Sequence, residues 1–123
     1  MKKLLGPKAD APESRAIRRD AWRVFTATMA VMASDAAPVR ALVSLHAGHV
    51  ALAGYYRSKA AAVGLDTPEG LKLLEVSDRQ SQRAERVIVT ATDLARVHAE
   101  VARRPKPGEV PLFYRALDAE PSK

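Results

Sequence analysis

The stretch "AVGLDTPEGLKLLE", residues 62 to 75, lies between two long apolar-periodic runs and requires the chain to turn there. Gly64 can take a left-handed conformation that closes one helix, and Thr67 can cap the next with Pro68 in its first position. A phosphate-binding loop would need a strand in front and a Lys followed by Ser or Thr after the second glycine. Here Gly70 is followed by Leu71 and Lys72, and the run before the corner is helical in pattern. The segment therefore predicts a turn between helices and not a nucleotide site.

Upstream of the corner, "MASDAAPVR" predicts a helix start, with Ser34 or Asp35 as cap and Pro38 tolerated in the first turn. The helix then reaches about Val63. Val39, Leu42, Val43, His46, Val50 and Ala53 line one side of it, and Leu45, Leu52 and Tyr56 a neighbouring side. A helix this apolar must be covered on more than one side. Ala47, Gly48, Ala51 and Ser58, with Ser44, form a small-residue strip that admits a close neighbour, either within the chain or between chains.

Downstream, a third helix is expected to start after Thr67 and run to Arg103, where Pro105 and Pro107 stop it. At 1.5 Å per residue it extends about 50 Å, too long for a compact monomer of this size to cover, so it should protrude or join an assembly. Leu73, Ser77, Gln80, Ala84, Val87, Ala91, Leu94, His98 and Val101 step by four and three, a heptad-like seam. Its first half is polar. "SDRQSQRAER", residues 77 to 86, predicts a solvated surface or a polar subunit contact. "VIVTAT", residues 87 to 92, leaves a strand as the alternative there, because its β-branched residues favour one.

The first helix is predicted from Ser14 to Met32, on the spacing of Ile17, Ala21, Val24, Phe25, Thr28, Met29 and Met32, with Trp22 widening the stripe. Residues 1–12 read as a basic arm, 13–104 as a helical domain, and 105–123 as a Pro-rich linker with a C-terminal segment. A chain of 123 residues with one Trp, three Tyr and two Phe is one domain with a thin core. Such a core predicts oligomerisation. The absence of cysteine excludes disulfides and cysteine-based zinc sites, and the cytosol is the expected compartment. "MKKLLGPKAD" has too short an apolar segment for a signal peptide, and Ala41 to Tyr56 is too short to span a bilayer.

The net charge of +6 is concentrated at the N-terminal end: residues 1–23 hold seven Lys or Arg against three acids. Arg15, Arg19 and Arg23 recur every fourth residue with Arg18 beside them, which on a helix makes a basic ridge. With Lys2, Lys3 and Lys8 they are the candidate DNA-binding residues, acting through phosphates. A solvated basic face is the alternative, with Asp20 close enough to pair with Arg23.

Nothing here indicates catalysis. His46 and His49 lie three apart, yet no third ligand completes a zinc site, so no metal and no cofactor is expected. Glu75 and Asp78 stand among arginines, where ion pairs account for them. No Gly-x-Ser-x-Gly elbow or triad spacing occurs. In the tail, Leu112, Phe113 and Tyr114 follow the Pro-rich linker and are the candidate partner-binding residues.

"RRDAWRVF", an apolar helix ending in "YYRSKAAAVGL", the corner "DTPEG" and a second long helix together resemble the small subunit of a tailed-phage terminase. In one branch of that family a basic, Pro-containing arm precedes a helix starting Ala-Trp-Arg or Glu-Trp-Arg, and a Thr-Pro-x-Gly corner joins the next two helices. The resemblance covers about residues 7 to 100, and the tail after Pro105 departs from the family's usual ending. It implies an all-α helical hairpin preceded by an amphipathic helix and assembled into a ring. It also implies a non-enzymatic protein that binds double-stranded viral DNA and presents it to the large ATPase and nuclease subunit, which it regulates. A helical DNA-binding regulator and a helical adaptor without nucleic acid are the competing readings.

Overall fold

The computed structural model describes residues 12–104. Among them the fold is all-α, with three helices in chain order: α1, Pro12–Met29; α2, Ala37–Val63; and α3, Pro68–Arg103. None of these helices is long and apolar enough to cross a membrane.

The corner between α2 and α3 is held by three residues. Gly64 closes α2 with φ 119° and ψ 120°, and its N–H bonds the Ala60 carbonyl. The φ is positive, as expected, but the ψ lies outside the left-handed helical well. Glycine reaches this region because it has no Cβ. The Gly64 carbonyl accepts the Thr67 N–H at 3.2 Å and the Thr67 hydroxyl at 2.7 Å. That same hydroxyl oxygen accepts the Gly70 N–H at 3.0 Å, so Thr67 caps α3 and fastens the end of α2 to it.

From this corner the two helices run back along each other in opposite directions. Gly70, Ser77, Ala84 and Ala91 recur every seventh residue on α3, and all four are buried. On α2, Ala53 lies opposite Ser77, His46 opposite Ala84, and Val39 packs in one cluster with Ala91. Ser77 donates its hydroxyl to the Ala53 carbonyl at 2.8 Å, and the His46 ring meets the Ala84 carbonyl at 2.8 Å. Further from the corner, Val39 and Val43 pack with Ala91 and Ala95. Small side chains let the two backbones approach closely enough for side chains on one helix to reach carbonyls on the other.

This corrects the expectation for "SDRQSQRAER". One face of that segment is neither solvated nor a subunit contact, because Ser77 is 0% exposed and Ala84 3%. Gln80, also on that face, bonds His49 at 2.6 Å. A polar interface is stable here because its polar atoms are paired. Among the described residues, no buried side-chain nitrogen or oxygen lacks a partner, and an unpaired one would cost about 1–3 kcal/mol.

The segment "VIVTAT" is helical throughout. Thr90 and Thr92 satisfy their hydroxyls on the carbonyls of Arg86 and Ile88, one helical turn back, and Ala91 is fully buried against α2. Tertiary packing overrides β-propensity at this point. Past Ala95 no residue of α3 is buried, and Val97 and Val101 are each 54% exposed. The last two turns, about 12 Å of helix, extend beyond this core.

α1 covers the other side of α2. Ile17 and Ala21 pack on Ala47, Ala51 and Leu52, with Val24, Phe25, Tyr55 and Tyr56 at the margin. Burying Ile17 stabilises the contact by about 1.5–3 kcal/mol. The strip Ala47, Gly48 and Ala51 is thus buried within the chain, while Ser44 and Ser58 stay exposed.

Two predicted boundaries shift. α1 begins at Pro12 and ends at Met29, not Met32, because Val31 and Met32 close tight turns on Thr28 and Met29 in place of helical bonds. α2 is capped by neither Ser34 nor Asp35. Its N-cap is Ala36, which makes no side-chain cap bond, and Ser34 Oγ instead accepts the Ala36 N–H at 3.1 Å. Pro38 sits in the first turn, as its missing N–H permits.

Two glycines give opposite predictions. A Cβ on Gly70 would run into the Gly64 carbonyl, whereas one on Gly54 would meet nothing within 4 Å. Gly70→Ala should therefore destabilise the fold by about 2 kcal/mol or more through overpacking. Gly54→Ala should stabilise it by about 0.5–1 kcal/mol, the ordinary helical gain. Denaturant unfolding followed by circular dichroism measures both, and equal shifts would contradict the corner geometry.

Candidate nucleic-acid interface

Because Ile17 and Ala21 face α2, the remaining faces of α1 are turned outward. Arg15, Arg19 and Arg23 are exposed at successive turns, and Arg18 is half-buried beside them. Asp20 lies 3.8 Å from Arg23, with both side chains largely in solvent. Such a pair contributes roughly 0–1 kcal/mol and leaves the arginine available to another anion.

The start of the ridge is anchored to α2. Tyr55 donates its hydroxyl to Glu13 Oε2 at 2.8 Å, and the Lys59 ammonium lies 5.7 Å from the centre of the tyrosine ring. The hydrogen bond to the Glu13 carboxylate raises the Tyr55 pKa above the ordinary 10.0, burial adds to the shift, and Lys59 opposes it.

Between α1 and α2 lies an open groove of about 330 Å³. Trp22 forms one wall. Its ring stacks on Phe25 with centroids 5.6 Å apart and planes inclined by 28°. Trp22 is nonetheless 67% exposed. Arg40, from the first turns of α2, holds its guanidinium 5.9 Å from the Phe25 centroid, a cation–π arrangement. Arg18, Ala21, Ala41, Ser44 and Ala47 complete the lining. The groove exists because alanines on both helices leave room between the backbones while the larger rings stand at its rim.

Sequence reasoning missed two of these residues as parts of a site. Trp22 was legible as an aromatic beside the apolar stripe, but its exposure follows from how α1 is rotated against α2. Arg40 lies on another helix, and no spacing in the sequence links it to Phe25. Lys2, Lys3 and Lys8, and likewise Leu112, Phe113 and Tyr114, lie outside the described residues.

The two central histidines serve the α2–α3 seam. His46 Nδ1 donates to the Ala84 carbonyl and His49 Nδ1 to Gln80 Oε1. Beside His46 a second open groove of about 360 Å³ includes Arg57, Ser81 and Glu85. Among the described residues, no three of His, Cys, Asp and Glu are grouped to hold a metal ion.

Comparison with family models, with curated proteins and with solved structures finds no match to this chain. The interface is therefore interpreted from its own residues. Its chemistry is cationic and aromatic: a row of exposed guanidinium groups suited to phosphates runs beside a flat ring open to stacking.

The anchor makes a prediction. The fold favours the neutral Tyr55 phenol, so its contribution to stability is present below pH 10 and is lost as pH rises through the elevated folded-state value. Glu13→Ala removes the main cause. Ultraviolet titration of the wild type should show one tyrosinate forming above the normal range, and that transition should move down in the variant.

Proposed function

We propose that this chain is a non-catalytic DNA-binding subunit of the kind that serves as the small subunit of a tailed-phage terminase. In this role it binds double-stranded viral DNA in the host cytoplasm, presents it to the large ATPase and nuclease subunit, and regulates that subunit. The observation that carries the reading is the exposed row Arg15, Arg19 and Arg23 on α1, with Arg18 and Arg40 on its flank. Guanidinium groups in a row neutralise successive phosphates and release counterions.

The proposal includes a helical hairpin of α2 and α3 as the building unit of a ring. Two features support it: α3 extends past the core with Val97 and Val101 exposed, and Val89 is 60% exposed on the same helix. In the ring these valines meet a neighbouring subunit. Lys2, Lys3 and Lys8 add to the DNA contact, and Leu112, Phe113 and Tyr114 engage the large subunit or latch neighbouring subunits.

Replacing Arg15, Arg19 and Arg23 by alanine should weaken binding to all duplexes alike. It should also flatten the salt dependence by up to about one unit of slope per lost phosphate contact. Helicity should hardly change, since exposed arginines contribute little to stability. Unaltered affinity and salt slope would refute the DNA reading. Native mass spectrometry or light scattering tests the assembly separately: a ring gives a discrete high-order mass, and a clean monomer at micromolar concentration removes that part of the proposal.

A further inference from the structure

Resting on the DNA-binding reading and extending it, we infer that the Trp22 groove is a stacking site for an unpaired base of single-stranded DNA. The phosphates of that strand follow the arginine ridge of α1. Three observations point to this occupant. A large aromatic ring stands 67% exposed while one of its sides stacks on Phe25, so its outer face is open. Two arginines and no carboxylate line the groove among the described residues, which suits a flat group that carries negative charge. The third is the spacing of Arg15, Arg19 and Arg23, which advance by about 6 Å per step, a distance of the order of one nucleotide in an extended strand.

Base pairing excludes a duplex from this role, because its ring faces are already stacked inside the helix. An aliphatic side chain would fill the groove but offer no negative charge to Arg40 or to the ridge beside it. Single-strand platforms combine these same elements, an aromatic face and a cationic track, and each stacked base contributes about 1–3 kcal/mol to binding there. The groove lies within the roughly 300–1,000 Å³ typical of small-ligand clefts, enough for one base with its phosphate.

Trp22 is the one tryptophan in the chain, so its emission reports on this groove without a label. The experiment titrates the full chain at low salt with oligo-dT, which has no pairing of its own, and with a duplex of equal length. Oligo-dT should quench Trp22 strongly and the duplex weakly. With labelled DNA, Trp22→Ala should lose about tenfold or more in affinity for oligo-dT while duplex affinity stays within about twofold. Trp22→Phe, which keeps a ring, should recover most of the loss. Circular dichroism checks that each variant is folded, as expected for a residue this exposed.

Four results would overturn the inference. Oligo-dT could bind without changing Trp22 emission, or Trp22→Ala could weaken both DNA forms equally. Removing residues 105–123 could shift the emission of DNA-free protein, showing the groove filled by the chain's own tail. The emission could also follow protein concentration, showing it covered by a second copy. Duplex binding together with Trp22 emission that oligo-dT leaves unchanged defeats the stacking site alone. Failure of both DNA forms to bind at low salt defeats the DNA reading itself.

Discussion

The close approach of α2 and α3 is the constraint on which the other features depend. Gly70, Ser77, Ala84 and Ala91 place no side chain larger than a hydroxymethyl group along one edge of α3. With so little apolar volume between the helices, hydrophobic burial alone would hold them weakly, since its contribution scales with the area removed from water. Directed bonds make up part of the difference. Ser77 to the Ala53 carbonyl, His46 to the Ala84 carbonyl and His49 to Gln80 each fix the sliding position of one helix on the other. Displacing α3 by one turn would break all three bonds and leave the buried Ser77 and His49 without partners, at about 1–3 kcal/mol each.

The Gly64–Thr67–Gly70 corner sets the same register from its end. Thr67 is donor to one helix terminus and acceptor from the other through a single oxygen. Its interaction is local, but its consequence is distant: it fixes the register in which Ala91 and Ala95 meet Val39 and Val43 at the opposite end of the pair. The N-terminus of α2 is held from there by packing, which accounts for a helix start at Ala36 without a side-chain cap.

The basic face follows from the second contact that α2 makes. Small residues appear again, with Ala47 and Ala51 receiving Ile17 and Ala21, so the rotation of α1 is set by where its one large buried residue fits. That rotation turns Arg15, Arg19 and Arg23 outward, leaves Trp22 at a groove rim and brings Phe25 beneath Arg40. Phe25 also packs on the α2–α3 core cluster, so the site and the core share a residue. A change in the core at Phe25 would therefore be felt in the groove.

Those features that depend on neighbours in sequence were legible without a structure. The three helices, the positive φ of Gly64, the Thr67 cap and the four-residue spacing of the arginines arise from interactions spanning four residues or fewer. Such interactions leave their pattern in consecutive letters. The remainder depends on which surfaces meet. That a polar segment is buried, that Thr90 and Thr92 remain helical, that Trp22 is exposed and that Arg40 reaches Phe25 are decided by pairings across helices. Burial, exposure and cation–π geometry are properties of two surfaces together, and the sequence describes each surface alone.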